Sequence, residues 1–190
     1  MKHTRVLLAA MTVAVLIGGA VIAQDPDSQS RRIAAVLRGI EEPPSISSTG
    51  TGMFRATIAP DASSISYTLS YADLEGDVLQ AHIHLGQRGV NGGIAVFLCS
   101  NLGNGPAGTQ LCPGPRAGTI SGTFTGADIV GPAAQGLTAA EFTELVRAID
   151  RSVTYVNVHT SKHTGGEIRG QVAGQINIAP TAPAPTAPPD

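Results

Sequence analysis

The chain has 190 residues, and its 12 lysines and arginines against 14 aspartates and glutamates give a formal net charge of −2. No stretch concentrates basic side chains, so a nucleic-acid-binding role lacks the electrostatic surface that it requires. Between two terminal segments of different composition, residues 33–179 have the usual length of one domain with its own hydrophobic core.

The N-terminal segment 1–23 has the three-part pattern of a secretory signal peptide. Lys2 and Arg5 precede an uncharged apolar run, 6–22, and small residues stand before a predicted cleavage after Ala23. The run is roughly 17 residues long, the lower limit for a bilayer span, so an uncleaved anchor stays open as an alternative. We expect a secreted, periplasmic or cell-surface protein whose mature form has no membrane span.

A polar segment, 24–32, is predicted to be a linker, and short alternating segments follow it. In 65–71, four apolar residues occupy every second position, the period of a strand with one buried face. Further strand candidates are 33–38, 53–59, 78–85, 94–99, 117–124 and 153–159. About eight strands with glycine and proline turns between them predict a mainly β, antiparallel domain. Its fold would be an immunoglobulin-like or Greek-key β-sandwich or barrel.

Two cysteines, Cys99 and Cys112, enclose a glycine-rich stretch after the fifth of these segments. In an exported chain we expect them to form a disulfide. A pair of thiolate metal ligands is the alternative, although the spacing is far from C-x-x-C.

One helix is predicted over residues 138–150. Thr138 and Glu141 form a capping-box pattern at its start. Apolar residues then recur at helical spacing: Phe142, Leu145, Val146 and Ile149. This stripe indicates core packing, and we assign no chemistry to it.

The last strand is predicted within 165–178, where alternation with a period of two excludes a helix. One face would carry Ile168, Val172, Ile176 and Ile178, and the other Glu167, Arg169, Gln171 and Gln175. Glu167 and Arg169 would pair with charges on neighbouring strands, which stabilises little where such pairs are exposed. The tail, 180–190, is rich in proline and alanine and is predicted to be extended and disordered.

Several stretches, taken together, resemble the CHRD domain, an extracellular domain named after chordin that also occurs singly in exported bacterial proteins. They are "LRGIEEPP", "YTLSYADLEGDVLQAHIHLGQRGVNGGIAVFL" and "SVTYVNVHTSKHTGGEIRGQV". The resemblance covers residues 33–179 and implies a secreted β-sandwich with no established catalytic activity. We therefore expect a non-enzymatic binding or interaction module whose partner is an extracytoplasmic protein or surface ligand.

The most distinctive stretches also carry four histidines. On a strand, His82 and His84 point to the same side of the sheet. His159 lies on the same face of its own strand as Tyr155 and Asn157. If the two strands pair, three imidazoles converge, and His163 would join them from the following turn. Such a set suits copper or zinc, so a metal-binding protein for extracytoplasmic metal handling or redox defence is the alternative function.

A structural role for the same histidines is equally open, because such rings also hydrogen-bond to backbone carbonyls and fix loops. The stretches "AHIHLGQ" and "VNVHTSK" are loosely similar to copper-ligand strands of copper/zinc superoxide dismutase. The bridging histidine and zinc loop of that enzyme have no counterpart here, so dismutase activity is only a weak analogy. Asp73, Glu75 and Asp77 lack the ligand spacing of an EF-hand calcium loop, and a solvated turn is expected there.

Overall fold

The computed structural model describes residues 30–174. The predicted signal peptide, the predicted linker up to residue 29, and the proline-rich tail lie outside this range, as do Gln175, Ile176 and Ile178. Within it are nine strands and one α-helix: β1 Arg31–Arg38, β2 Thr51–Ile58, β3 Ser64–Ala72, β4 Val78–Leu85, β5 Gly93–Ser100, β6 Gly118–Thr125, α1 Phe142–Asp150, β7 Thr154–Thr160, β8 Ile168–Gln171 and β9 Ala173–Gly174.

All strand pairs are antiparallel and belong to one sheet, in the order β5-β4-β7-β8-β1-β2-β3-β6, with β9 beside β1. The sheet curls until its two ends approach each other. There Val96 of β5 forms a bridge with Ile129, just after β6, and the Val130 N–H donates to the Ala95 carbonyl at 2.9 Å. The prediction of an antiparallel sandwich or barrel is confirmed, and the structure is a nearly closed barrel.

Alternation along each strand fills the barrel, as expected for a period of two. Its interior holds apolar side chains that are at most 1% exposed, among them Leu37, Phe54, Ile65, Leu69, Ile83, Val156 and Ile168. The disulfide between Cys99 and Cys112, with an S–S distance of 2.03 Å, is also confirmed. It ties the end of β5 to the segment that precedes β6.

Helix α1 packs its predicted apolar stripe against the core, but it begins at Phe142 rather than at residue 138. Ala140 has a φ of +68°, outside the helical region, so the turn that contains Thr138 does not join the helix. The Glu141 carboxylate still accepts the Thr138 N–H at 2.6 Å. Among the described residues, no helix is long and apolar enough to cross a membrane.

The predicted last strand leaves β7 at Val172 and continues beside β1, with which β8 already pairs at Arg169. β8 pairs with β7 as far as Gln171, and the Val172 N–H then donates to the Thr154 carbonyl at 2.9 Å. β9 continues beside β1, where Ile33 lies opposite Gly174. The uniform alternation of the sequence therefore spans two short strands.

Candidate metal centre

Strand β4 places its two histidines on one side of the sheet. Ile83, between them, points into the barrel and is 1% exposed, so His82 and His84 point outward. In the register with β7, His82 lies opposite Asn157 and His84 opposite Tyr155. This is the strand pairing that brings the predicted histidines together.

The outer face of β4 and β7 is buried rather than solvated. His82, His84 and His159 are 0%, 6% and 8% exposed. Phe97 of β5 lies edge-on to the His82 ring, with centroids 4.5 Å apart, and Tyr155 stacks on His84 at 4.7 Å. The face that alternation predicts to be polar is a second, smaller buried layer outside the barrel, which we call the histidine layer.

Two loops reach across the histidine layer. The loop 39–50 follows β1, and the loop 86–92 joins β4 to β5. They are linked where the Asn91 side chain donates to the Pro43 carbonyl at 3.0 Å. Glu42, in the first loop, lies beside the Asn157 side chain of β7, whose amide acts against the rise that burial causes in the pKa of the Glu42 carboxyl. Burial of this strand face thus depends partly on the loop 39–50, which is remote in sequence from both β4 and β7.

The three rings of the layer converge on one point. His82, His84 and His159 each offer a ring nitrogen that lies within 4.8 Å of the other two. The His82 Nδ1 and His159 Nε2 atoms are 3.3 Å apart, and the ring centroids are separated by 5.0 to 6.2 Å. Zinc binds imidazole nitrogens at about 2.0–2.1 Å, so modest inward movement of these rings would complete a three-nitrogen site.

Backbone carbonyls hold the Nδ1 side of two of these rings. The Nδ1–H of His84 donates to the Gly92 carbonyl at 2.9 Å, and the Nδ1–H of His159 donates to the Thr164 carbonyl at 2.9 Å. A Cβ at Gly92 would lie 1.7 Å from the Leu85 carbonyl oxygen, so only glycine fits at this position. The His84 Nε2 then carries a lone pair, as in metal-binding histidines whose other nitrogen donates to a carbonyl, whereas the His159 Nε2 also lies 3.1 Å from the Asn157 Oδ1.

Burial keeps all three imidazoles neutral. It lowers the pKa of His82 to about 2, assisted by the charges that His159 and His84 would carry. It lowers the pKa of His84 to about 4 and also lowers that of His159, against the opposing hydrogen bonds to carbonyls. The Nε2 atoms of His82 and His84 are buried and have no hydrogen-bond partner. Neutral imidazoles with free lone pairs are the form that binds a metal ion.

His163 does not join the cluster. It follows the end of β7, and its Nε2 lies 3.6 Å from the Glu75 carboxylate, which also pairs with Lys162. Asp77 pairs with Arg116 at 3.3 Å. Two of the three acidic side chains of the turn after β3 are thus paired with cations.

Arg169 belongs to the histidine layer, although alternation placed it on a solvated strand face. It is 1% exposed, and its guanidinium carbon lies 3.3 Å from the centroid of Tyr155. One terminal nitrogen donates to the carbonyls of Gln87 and Val90, at 3.1 and 2.9 Å. The expected pairing with a charge on a neighbouring strand is not found for Arg169, because its guanidinium donates to carbonyls of the loop 86–92 that covers it.

The same correction applies to Glu167, which is 0% exposed. Its carboxylate accepts hydrogen bonds from the hydroxyls of Ser48 and Thr160 and from the N–H groups of Glu75 and Gly76. These donors come from three separate segments. Glu167 therefore joins loops together and does not pair with a strand charge.

Glu42 is the carboxyl group that reaches the histidine layer. It is 6% exposed, and its Oε1 atom is buried without a hydrogen-bond partner. Burial raises its pKa to about 7, although the nearby Arg169 charge and the Asn157 amide oppose this effect. The sequence "IEEPP" gave no sign that one of its two glutamates is buried.

Comparison with known proteins identifies the domain. A family model of the CHRD domain matches residues 33–172, most of the chain and all three clustered histidines. No match was found among curated proteins, and none among solved structures.

Proposed function

Since this chain belongs to the CHRD domain family, we propose that it is a non-enzymatic extracytoplasmic binding protein whose ligand is a copper or zinc ion. His82, His84 and His159 would hold the ion. The observation that carries the proposal is that two of these rings are fixed at Nδ1 by carbonyls while their Nε2 atoms point into a shared buried cluster. A bound ion would supply the partner that the His84 Nε2 lacks.

A purely structural role accounts for only half of this arrangement. The carbonyl bonds of His84 and His159 do fix the loops that contain Gly92 and Thr164. They leave the Nε2 atom of His84 buried and unpaired, and such a group destabilises a fold by about 1–3 kcal/mol. Three converging imidazoles are also a known ligand set for zinc, and imidazole suits copper as well.

A binding role is favoured over catalysis because the three rings are almost completely covered. A substrate would need an open coordination position beside them. The disulfide and the N-terminal pattern support an extracytoplasmic location, since disulfides persist in oxidising compartments.

Calorimetric titration of the full chain, purified without a histidine tag, tests the proposal. We expect one Cu²⁺ or Zn²⁺ ion per chain, and an affinity at least about a hundredfold weaker in a His82→Ala/His84→Ala variant. His163→Ala is the matched control, because His163 is a histidine of the same region outside the cluster. Absence of binding of Zn²⁺ and of copper in both oxidation states by folded wild-type protein would contradict the proposal.

A second binding surface is favoured by the outer face of β1, β2, β3 and β6. Arg32 and Arg55 project from it, and none of the outward residues of these strands is acidic. Hydroxyl pairs bridge β3 and β6, for instance Ser66 with Thr123 at 2.9 Å. This exposed face is where we would place a contact with an extracytoplasmic protein or surface ligand. If that contact exists, an Arg32→Glu/Arg55→Glu variant will lose partners that the wild type retains in pull-downs.

A further inference from the structure

We propose that the ion held by His82, His84 and His159 is monovalent copper, Cu⁺, in preference to Zn²⁺ or Cu²⁺. This inference rests on the metal-binding function proposed above and specifies the charge of the ion. Three properties of the histidine layer carry it: the number of its ligands, the exclusion of water and the charge that surrounds it.

Among the described residues, the cluster holds three histidines and no charged donor, and its one further donor atom is the neutral amide oxygen of Asn157, 3.1 Å from the His159 Nε2. Within the described part of the chain, the group whose donor atoms lie within 4.8 Å of one another contains no carboxylate and no thiolate. Zinc in proteins is almost always four-coordinate and completes its shell with a fourth side chain or a water. Cu⁺ also has a filled d shell but is stable with three nitrogen ligands, which is the number that this cluster offers.

Water has little access to the cluster as a fourth ligand. The three rings are at most 8% exposed, and the aromatic rings of Phe97 and Tyr155 lie against two of them. A buried water needs two to four polar partners, and the rings of Phe97 and Tyr155 offer it none on the sides that they cover. The layer therefore favours an ion that needs no water over one that retains it.

The charge around the cluster also disfavours a divalent ion. The Arg169 guanidinium lies 3.3 Å from the Tyr155 centroid, and Tyr155 stacks directly on His84. The carboxyl group of Glu42 contacts Asn157 rather than the imidazoles. Because the cost of burying an ion rises with the square of its charge, a divalent ion costs about four times as much as a monovalent ion in the same site. With no anionic ligand to offset that cost, the monovalent ion is favoured.

Competition against chromophoric chelators tests the inference on the full chain without a histidine tag. Cu⁺ would be measured without oxygen, with ascorbate as the reductant, and Zn²⁺ would be measured separately. We expect Cu⁺ to bind at least about a hundredfold more tightly than Zn²⁺. The His163→Ala control should give the same ratio.

The outcomes separate the two proposals. Zn²⁺ binding as tight as that of Cu⁺, and lost from the His82→Ala/His84→Ala variant, would overturn the Cu⁺ inference and leave the metal-binding function standing. Failure of both ions and of Cu²⁺ to bind would overturn the function itself.

An Arg169→Gln variant tests the charge argument. Glutamine retains a donor for the loop carbonyls but removes the cation, so affinity for Zn²⁺ should rise more than affinity for Cu⁺. An unchanged ratio in a variant with the wild-type circular dichroism spectrum would contradict the electrostatic part of the inference. If this variant does not fold, the wild-type comparison of Cu⁺ with Zn²⁺ still decides the proposal.

Discussion

The imidazole of His84 stacks face to face on the phenol ring of Tyr155, with centroids 4.7 Å apart and ring planes inclined by only 3°. The two residues are direct cross-strand neighbours on β4 and β7. The Tyr155 hydroxyl accepts from the Gly92 N–H at 3.2 Å and lies 3.3 Å from the Gly92 carbonyl, which also accepts from His84. One tyrosine thus orients a candidate ligand through its ring and the loop beside it through its hydroxyl.

Two substitutions at Tyr155 separate these contributions. Tyr155→Ala is expected to lower the free energy of unfolding by about 3–5 kcal/mol, as for other buried aromatic residues, and to weaken metal binding because His84 loses its stack. Tyr155→Phe keeps the ring and should cost about 1–2 kcal/mol through its lost hydrogen bonds. Urea unfolding and metal titration measure both effects. Wild-type metal affinity in Tyr155→Ala would show that the stack does not position His84.

The convergence of the histidines was predictable because alternate residues of a strand point to the same side of the sheet. Residues 82 and 84 share a face, His159 has matching parity on its own strand, and adjacent pairing of the two strands was the one further condition. β7 ends at Thr160, so the alternation of side chains along a strand does not predict where the His163 side chain points. Its position beside Glu75 depends on the path of the turn, which the sequence pattern does not specify.

Burial of the histidine layer was not predictable by the same reasoning. A strand that alternates apolar and polar residues normally has one solvated face, so the pattern gave no reason to place Arg169 and Glu167 in a buried layer. The loops 39–50 and 86–92 that cover or contact this side are remote in sequence from β8, and no local periodicity indicates where they pack. The burial of the Glu42 carboxyl could not be predicted for the same reason.

Replacing Glu42 should change how stability depends on pH. Its folded-state pKa of about 7 lies above its ordinary value of 4.5, so the folded protein binds this proton more tightly than the unfolded chain. The associated stability is fully present below pH 4.5 and is lost as the pH rises through about 7. Glu42→Gln has no such loss, so the free energy of unfolding of the variant should rise relative to that of the wild type between pH 4.5 and about 7.

The difference in free energy of unfolding between Glu42→Gln and the wild type should grow to about 3 kcal/mol and then level off above neutral pH. Urea unfolding of both proteins at about pH 4, 6 and 8 measures it. Glu144→Gln, on the exposed side of α1, is the control and should show no such trend. A difference between Glu42→Gln and wild type that stays constant with pH would mean that Glu42 is not held neutral by burial.

Removal of the Glu167 carboxylate should be strongly destabilising. Its four hydrogen-bond donors lie in the loop before β2, the turn after β3 and the end of β7. Glu167→Ala would leave these donors without their acceptor, and we expect the free energy of unfolding to fall by about 3–5 kcal/mol. Glu144→Ala, which removes an exposed carboxylate, should change it by less than about 1 kcal/mol. Similar values for the two variants would contradict the loop-joining role of Glu167.

The disulfide should contribute to stability and not to metal binding. Cys99 and Cys112 are separated by 13 positions, and a cross-link that closes a loop of this size stabilises by about 3 kcal/mol. A Cys99→Ser/Cys112→Ser variant should lose this amount in urea unfolding while keeping its metal affinity. Loss of metal binding from the folded variant would instead implicate sulfur as a ligand.

The location of a bound ion tests the central claim most directly. A crystal structure of the copper- or zinc-loaded full chain, with diffraction recorded on both sides of the metal absorption edge, identifies the ion by its anomalous signal. We predict one strong peak at about 2.0–2.1 Å from a ring nitrogen of each of His82, His84 and His159. A loaded crystal with no peak at these rings, or with its peak at His163 or another surface group, would contradict the account.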